Sequence, residues 1–329
     1  MAGSVVGGGS SNTGVGGLTG KGLEAYNNLT DAEKALLSGT GTTSHVEVAK
    51  FGNSSYIQSI GTDNSSAVVV PSPDQTLNGT IYNGNTSLDV NLAPGVGVSF
   101  QGPTQDQTVY QAGQYFNNFI ESVIPGGGAY NDGFNASVAM ATDHAGNGFA
   151  TRLITPTDNS TGTADIVLQG NPSVNQVAVI NAFGVQSNHA INISGFTSAV
   201  IAGPATVNWI GTNGGFVVGD ISNQKITGGV GADTLVGGGG SDILTGGSGA
   251  DTFGVDFGGD TMITDFNGSA GDKLMFNGGM TLQEFVNAEV KVVQLGTFNV
   301  TDISLNGHNI YLVGVDPSQL TLDMIKFDV

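Results

Sequence analysis

The 329-residue chain contains no cysteine, which excludes disulfide bonds and thiol catalysis. It has only 8 lysine and arginine residues against 27 acidic residues, and a formal net charge of -19 makes nucleic acid and acidic lipid surfaces poor partners. No apolar run approaches the roughly 18 residues that a membrane span needs. Charged residues are 11% of the chain and hydrophobic residues 39%, so the composition indicates a folded protein rather than a disordered one.

Several functional motifs are also missing. The N-terminal stretch MAGSVVGGGSSNTGVGG has neither the basic nor the apolar segment of a secretory signal peptide. The HExxH motif of zinc proteases and the GxSxG motif of lipases are absent. The adjacent pair Asp143 and His144 is the best remaining candidate for catalysis, and a polar turn explains it more simply. We assign no catalytic residue, although chemistry that uses two carboxylates stays open.

Glycine, in contrast, is abundant and regular in residues 228–254. This stretch consists of three nonapeptides, GGVGADTLV, GGGGSDILT and GGSGADTFG. Each has glycine at positions 1, 2 and 4, aspartate at position 6 and a large apolar residue at position 8, the pattern of a calcium-binding parallel β-helix repeat. The first six residues predict a tight glycine turn, and the last three predict a short strand whose apolar residue (Leu235, Leu244 or Phe253) points into the core.

The aspartate column predicts a metal site. Successive turns alternate between two edges of the roll, so turns two repeats apart stack about 4.8 Å from each other. Asp233 is then expected beside Asp251, and a continued count of nine places Asp242 beside Asp260. Like charges at this distance repel, and a hard cation with oxygen ligands removes the repulsion. We predict Ca²⁺, held by these aspartates and by turn carbonyls of Gly229, Gly231, Gly238, Gly240, Gly247 and Gly249.

The remaining chain predicts a mainly β fold in five parts. An N-terminal β-sandwich-like domain with one helix, over roughly 106–124, is expected to precede a parallel β-solenoid, a calcium β-roll and a C-terminal cap. Glycines spaced by eight and then nine residues from Gly195 to Gly246 favour one solenoid that passes into the roll. The parts are a flexible arm with a short helix (1–44), a β-rich passenger domain (45–164), solenoid rungs (165–227), the roll (228–272), and the C-terminal cap (273–329).

The last hundred residues resemble the C-terminal region of RTX (repeats-in-toxin) proteins. Besides the nonapeptides, DTMITDFNGSAGDKLMF (260–276) is similar to the segment that ends such rolls, and GHNIYLVGVDPSQLTLDMIKFDV (307–329) resembles the terminal strands and uncleaved secretion signal. The resemblance implies that Asp265 and Asp272 are terminal calcium ligands or roll caps. It also implies export by a type I ABC secretion apparatus, and folding triggered by extracellular calcium.

The resemblance does not identify the passenger. Weakly charged β-runs rich in Asn, Thr, Gly and Val favour a secreted or cell-surface structural protein, similar to surface-layer or biofilm matrix members of the family. Its expected partner is itself, in a homo-oligomer, lattice or filament, without nucleic acid or a membrane span. Two alternatives stay open: a type I-secreted hydrolase with an unrecognised N-terminal active site, and an adhesin or carbohydrate-binding module.

Overall fold

The computed structural model describes residues 45–51, 54–60, 66–69, 76–83, 86–103, 105–123, 128–255, 258–277 and 281–327. The arm and short helix predicted in residues 1–44 lie outside them. The described elements are β1 (His45–Phe51), β2 (Ser54–Ile60), β3 (Ser66–Val69), β4 (Leu77–Asn83), β5 (Thr86–Leu92), β6 (Val96–Gln101), α1 (Val109–Val123), α2 (Gly128–Ala145), β7 (Ala150–Asp158), β8 (Ile166–Gly170), β9 (Gln176–Asn181), β10 (Ala190–Ser194), β11 (Ser198–Ala202), β12 (Ala205–Trp209), β13 (Phe216–Gly219), β14 (Gln224–Thr227), β15 (Thr234–Val236), β16 (Gly240–Thr245), β17 (Thr252–Val255), β18 (Gly259–Ile263), β19 (Lys273–Phe276), α3 (Leu282–Val286), β20 (Glu289–Leu295), β21 (Phe298–Leu305), β22 (His308–Val313) and β23 (Ile325–Phe327).

Two large sheets contain all the strands in the described part of the chain. The twelve-stranded sheet has the order β1-β2-β3-β6-β7-β9-β11-β13-β15-β17-β19-β23, and the eleven-stranded sheet has the order β20-β21-β22-β18-β16-β14-β12-β10-β8-β5-β4. From β8 to β19, successive strands alternate between the sheets, and each pairs in parallel with the strand two places along the chain. This confirms the predicted mainly β fold with a parallel solenoid and roll.

The coil repeat follows from the nonapeptide. Two nonapeptides make one coil, so Val217, Leu235 and Phe253 lie opposite one another at intervals of 18 residues. All three are fully buried, as the period of the apolar position predicts. Burial of each such side chain contributes about 1.5–3 kcal/mol, which makes this column the main support of the roll.

The same kind of column crosses seven strands of the eleven-stranded sheet, from β8 to β22. Its members are fully buried and lie in adjacent strands: Ile166, Ile191, Val207, Ile226, Leu244, Ile263 and Leu312. The first four precede the perfect nonapeptides. The core therefore continues without a break from rungs that lack the turn aspartates into rungs that have them, as the glycine spacing predicts.

Antiparallel strands extend both ends of the solenoid. At the N-terminal end, β6 joins β7 and β5 joins β8, so the sandwich-like region uses the same two sheets as the solenoid. At the C-terminal end, β20, β21 and β22 form an antiparallel meander beside β18, while β23 pairs in parallel with β19. The strands β22 and β23 are therefore part of the folded roll.

Helix α1 matches the helix predicted near 106–124, and α2 is a second helix that the sequence did not predict. Helix α2 packs on β9, β11 and β13. Gly133 lies inside it, a residue that costs a helix about 1 kcal/mol relative to alanine. A Cβ atom at Gly133 would lie 2.1 Å from Ile221 Cγ2, so close packing accounts for glycine there. Tertiary contacts outweigh the weak helical propensity. No helix in the described ranges has the length and apolarity to cross a membrane.

Candidate calcium-binding site

The nonapeptide turns stack along two edges of the roll. On the first edge, residues 228–233 connect β14 to β15 and residues 246–251 connect β16 to β17. On the second edge, residues 220–223 connect β13 to β14 and residues 237–239 connect β15 to β16. The edges alternate because each nine-residue repeat crosses the roll once.

Three aspartates form a hydrogen-bonded ladder along the first edge. Asp233 Oδ1 accepts from Gly215 N at 2.5 Å, Asp251 Oδ1 accepts from Asp233 N at 2.8 Å, and Asp272 Oδ1 accepts from Asp251 N at 2.9 Å. Each carboxylate thus bonds to the backbone of the preceding coil. All three aspartates are buried. Asp251 stacks on Asp233 as the spacing predicts, and Asp272 continues the ladder.

The ladder places negative charge where water is excluded. Burial raises the pKa of Asp233, against hydrogen bonds from Gly215 and Gly229 that lower it. Burial also raises the pKa of Asp251, where the bond from Asp233 N opposes the shift and the nearby carboxylates of Asp272, Asp233 and Asp265 add to it. The charged form of both side chains is therefore disfavoured in the folded protein, and a bound cation offsets this cost.

The second edge departs from the predicted register. Asp242 is opposite Thr261, and Asp260 is opposite Ser241, because the strands β16 and β18 are related by 19 residues rather than 18. The prediction that Asp242 stacks on Asp260 is wrong by one residue. Asp260 is only partly buried, and its Oδ1 accepts from Asn309 N of β22 at 2.8 Å. It therefore ties the roll to the C-terminal meander.

Asp265 and Asp272 close the last turn. The two carboxylate oxygens of Asp265 accept from Gly246 N at 2.8 Å and Gly247 N at 2.9 Å. Asp272 Oδ2 accepts from Asn267 N at 2.8 Å, which adds a bond within its own turn. Both side chains satisfy backbone donors at the end of the roll, a geometry that fits a cap.

The glycines of the turns permit close approach between coils. Of the six glycines assigned to metal sites, five have positive φ angles: Gly231, Gly238, Gly240, Gly247 and Gly249. A Cβ atom at Gly249 would lie 1.8 Å from Gly231 O, and one at Gly247 would lie 2.4 Å from Gly229 O. Only glycine fits at such distances. Gly229 O also accepts a hydrogen bond from Ser248 N at 3.0 Å.

The first glycine of each repeat borders a cradle of oxygen atoms. A Cβ atom at Gly228 would lie 2.2 Å from Gly246 O and 2.5 Å from Asp233 Oδ2. A Cβ atom at Gly237 or Gly246 would lie 2.4 Å from the Oδ2 atom of Asp242 or Asp251, respectively. The polar atoms nearest these three positions are carboxylate oxygens and, at Gly228, a carbonyl oxygen, which are the kinds of ligand that Ca²⁺ prefers.

The described residues contain no group of three or more His, Cys, Asp and Glu side chains that could hold a metal. Each nonapeptide turn supplies one carboxylate, so backbone carbonyls must complete the six to eight oxygens that Ca²⁺ takes. The residues present fit this ion. When bound, Ca²⁺ would supply positive charge to the cradles, with Asp233, Asp242 and Asp251 as the charged ligands.

Sequence reasoning missed a fourth turn in the same frame. Residues 219–227, GDISNQKIT, put aspartate at position 2 and glutamine at position 6. Buried Asp220 accepts from Gly203 N at 2.7 Å, Ser222 N at 2.8 Å and Gln224 Nε2 at 2.6 Å. Gln224 is 18 residues before Asp242, and its N–H donates to Asp242 Oδ1 at 2.7 Å. The period of 18 was the signal that could have found this turn.

The catalytic candidates are separate from the roll. Asp143 and His144 lie on α2, where the His144 ring stacks on Phe216 at a centroid distance of 4.0 Å and burial lowers the pKa of His144. A serine, histidine and aspartate do meet elsewhere: Ser160 Oγ is 3.0 Å from His189 Nε2 and 2.7 Å from Asp158 Oδ1.

Hydrogen bonds to the backbone and to Asp158 compete with a nucleophilic arrangement in that second cluster. His189 Nε2 is also 2.9 Å from Gly162 O, and His189 Nδ1 is 3.6 Å from Asp158 Oδ2. In the tautomer that carries its proton on Nε2, this nitrogen donates to Gly162 O and does not accept the serine proton. The Ser160 hydroxyl donates to Asp158 instead. Ser160 and His189 are buried, so the arrangement fits a structural link between the loops that follow β7 and β9.

Comparison with known proteins identifies the turns. The family described as RTX calcium-binding nonapeptide repeat (4 copies) matches residues 218–262, which include the glutamine turn. A search of curated proteins gave no significant match. Among solved structures, the extracellular lipase LipA from Serratia marcescens is similar with 14% identity and a TM-score of 0.22. The similarity covers 51% of this chain and 39% of the lipase chain, so the match spans well under half of that protein.

Proposed function

We propose that this chain, which belongs to the proteins with RTX calcium-binding nonapeptide repeats, is a secreted bacterial structural protein that completes its fold on meeting extracellular calcium and then self-assembles. RTX nonapeptide repeats bind calcium. Beyond calcium binding, we propose that the protein lies outside the cell, that calcium triggers its folding, and that it assembles into a surface layer, matrix or filament.

One observation carries the proposal: the buried ladder Asp233, Asp251 and Asp272. Two unit charges about 4–5 Å apart repel by about 1 kcal/mol in water and by several times more near a protein surface. Without a cation, this repulsion and the burial of charge oppose closure of the roll. With a cation, the same carboxylates link adjacent coils, so calcium binding contributes directly to folding.

The strand pairing of β22 and β23 supports export before folding. RTX repeat proteins are typically secreted by the type I route, and the segment that resembles the secretion signal includes β22 and β23. In the folded chain β22 pairs with β18 and β23 pairs with β19. We propose that a transporter reads this segment while the roll is unfolded, in the low calcium of the cell interior.

Calcium titration of the purified chain tests the folding step. Trp209 is the only tryptophan, it is buried, and its carbonyl oxygen would lie 2.7 Å from a Cβ atom at Gly229 in the first nonapeptide turn. Its fluorescence should shift as calcium is added over roughly 10⁻⁴–10⁻³ M, the ordinary range of extracellular modules. A spectrum that is identical in calcium and in EGTA contradicts calcium-triggered folding.

Electron microscopy with and without chelator tests the assembly step. We expect ordered sheets or fibres in millimolar calcium that disappear in EGTA. A monodisperse monomer that still binds calcium contradicts assembly, and glycan and substrate screens would then separate an adhesin from an enzyme.

The proposed role includes no catalysis. In the described region, Ser160, His189 and Asp158 come closest to a hydrolytic arrangement, and their bonding favours a structural role. Wild-type protein and the Ser160→Ala variant should therefore be equally inactive on simple ester and peptide substrates. Hydrolysis that the Ser160→Ala substitution abolishes would overturn this part of the proposal.

A further inference from the structure

Exposed apolar side chains concentrate at the C-terminal end of the eleven-stranded sheet. The described residues contain twelve large hydrophobic side chains that are exposed, and six of them fall within 282–298. We call these six the terminal patch: Leu282, Val286, Val290, Val292, Leu295 and Phe298, with exposed fractions from 41% to 62%. Scattered exposed apolar residues are normal on protein surfaces, but exposed apolar residues that share a face indicate an interaction site, as Val290 and Val292 do on β20.

Three residues of the patch, Val290, Val292 and Leu295, lie on β20, which has only one partner strand among the described residues. In the described sheet, β20 is the last strand and pairs only with β21. Such a strand presents unpaired N–H and C=O groups that can accept another strand. Natural proteins usually protect edges with proline, several lysines or a bulge. The sequence of β20, EVKVVQL, has no proline, and its single lysine (Lys291) lies 3.4 Å from the buried carboxylate of Asp302.

Part of the patch lies on the same face of the sheet as core residues but is itself exposed. Val290 is opposite Ile303 in β21, and Ile303 is opposite Ile310 in β22. Side chains at paired positions share one face of a sheet. Ile303 and Ile310 are buried in the main core, whereas Val290 is 44% exposed. The apolar inner face of the sheet therefore extends beyond the core by one strand, and an occupant that continues the sheet would bury it.

The charge of the patch favours a second copy as that occupant. The whole chain has a net charge of -19, so two copies repel over most of their surfaces. Residues 281–298 contain two glutamates and one lysine, and one positive minus two negative charges leaves only -1. Glu289 and Lys291 lie two positions apart on one face of β20, so an antiparallel copy of the strand can place Lys291 near Glu289 of its partner.

We propose that β20 pairs with β20 of a second copy, antiparallel and around a two-fold axis, so that the two eleven-stranded sheets become one. The apolar faces with Val290 and Val292 would be continuous across the pair, and α3 and Phe298 would lie at its flanks. This inference rests on the proposed self-assembly and names its first contact. A two-fold contact uses the same surface on both copies, which a single edge strand provides.

A pair of lysine substitutions tests the interface in the full chain with calcium. Val292→Lys places a charge on the free strand, and Tyr110→Lys changes a 72% exposed apolar residue on α1, away from the strand. Sedimentation should show wild type and Tyr110→Lys as dimers or larger species. Val292→Lys should be monomeric at concentrations at least tenfold above those where wild type associates. Calcium binding, unchanged in both variants, controls for folding.

Cysteine substitution gives a second readout, because the chain has no native cysteine. Single substitutions Val290→Cys, Val292→Cys and Gln294→Cys should include one that forms disulfide-linked dimers on mild oxidation, whereas Tyr110→Cys should not. If wild type is monomeric in calcium, the proposed assembly and this interface both fail. If wild type assembles, but Val292→Lys assembles equally and no strand cysteine cross-links, only this interface is overturned. That result would favour another occupant of the edge.

Discussion

The solenoid rungs before residue 228 and the calcium roll after it share the same two sheets and a continuous core. They differ in the turns along the edges of these sheets. Upstream, Asp220 is buried with three protein donors, including the side chain of Gln224. Downstream, Asp233 and Asp251 are buried with raised pKa values, chiefly because of burial. The comparison teaches that the apolar columns determine the fold, while the turn residues determine whether the fold needs a cation.

The largest expected effect comes from the shared core. Phe253→Ala in the roll and Ile191→Ala in the upstream rungs each remove a fully buried side chain, which costs about 2–5 kcal/mol. In calcium, both should lower the midpoint of denaturant unfolding. In our account the roll is already open in EGTA, so Phe253→Ala should cause little further loss of stability there. Ile191→Ala should lower the free energy of unfolding in EGTA as it does in calcium. Equal costs for both variants in both buffers would remove the distinction between the regions.

Asp251→Asn should stabilise the roll without calcium and destabilise it with calcium. The substitution removes a buried charge whose pKa burial raises, so in EGTA it should stabilise the roll. In calcium it removes a charged ligand and should weaken affinity by about tenfold or more. Calorimetric titration and thermal unfolding measure the two effects.

Asp220→Asn is the matched control for that variant. Asn cannot accept at both side-chain positions as a carboxylate does, and a buried donor left without a partner costs about 1–3 kcal/mol. Destabilisation should therefore occur equally with and without calcium. If Asp220→Asn instead behaves like Asp251→Asn, the turn that contains Asp220 also depends on calcium.

The pH dependence should also differ between the two metal states. A carboxyl group with a raised folded pKa contributes stability below its unfolded pKa of about 3.9, and loses it as pH rises through the folded value. Asp233 and Asp251 are such groups, so the calcium-free roll should become more stable as pH falls from 7 toward 5. The lowered pKa of Asp158, where hydrogen bonds from Gln186 and Ser160 outweigh burial, acts in the opposite direction.

With calcium bound, protons compete with the ion for the same carboxylates, and acidification should weaken binding. Thermal unfolding of wild type and of Asp233→Asn/Asp251→Asn at several pH values checks both signs. The double variant should lose most of the acid stabilisation seen in EGTA. If the wild-type protein becomes less stable on mild acidification without calcium, the aspartate ladder does not determine the pH dependence of its stability.

The smallest expected effect belongs to Asp260→Asn. Asp260 faces Ser241 instead of Asp242, is only partly buried and bonds to Asn309 N. Its substitution should cost about 1 kcal/mol through this hydrogen bond and change calcium affinity less than Asp251→Asn does. An equal loss of calcium affinity in the two variants would instead support the prediction that Asp260 stacks on Asp242 as a ligand.

The repeated part of the chain was predictable because its period is strict. The apolar position alone places Leu235 opposite Phe253, and the aspartate position stacks Asp251 on Asp233. The count fails between β16 and β18, where the register of 19 residues separates Asp242 from Asp260. A period carries information only while the turn length stays constant.

Features that depend on packing were not visible in the sequence. Helix α2 contains Gly133 in its interior and forms because small residues fit closely against the rungs, as in the 2.7 Å bond from Ser137 Oγ to Gly219 O. The turn with Asp220 and Gln224 departs from the motif at positions 2, 4 and 6, and its place in the stack shows that it belongs to the same series. The free edge of β20 likewise follows from strand order rather than from local composition.

Hydrogen exchange, followed strand by strand in millimolar calcium and in EGTA, tests the central claim most directly. The account predicts that backbone amides of β15, β17 and β19 lose protection on chelation, while those of β9 and β11 retain it. Amide protection that is unchanged by chelation in all of these strands would contradict the claim that the roll needs calcium to close.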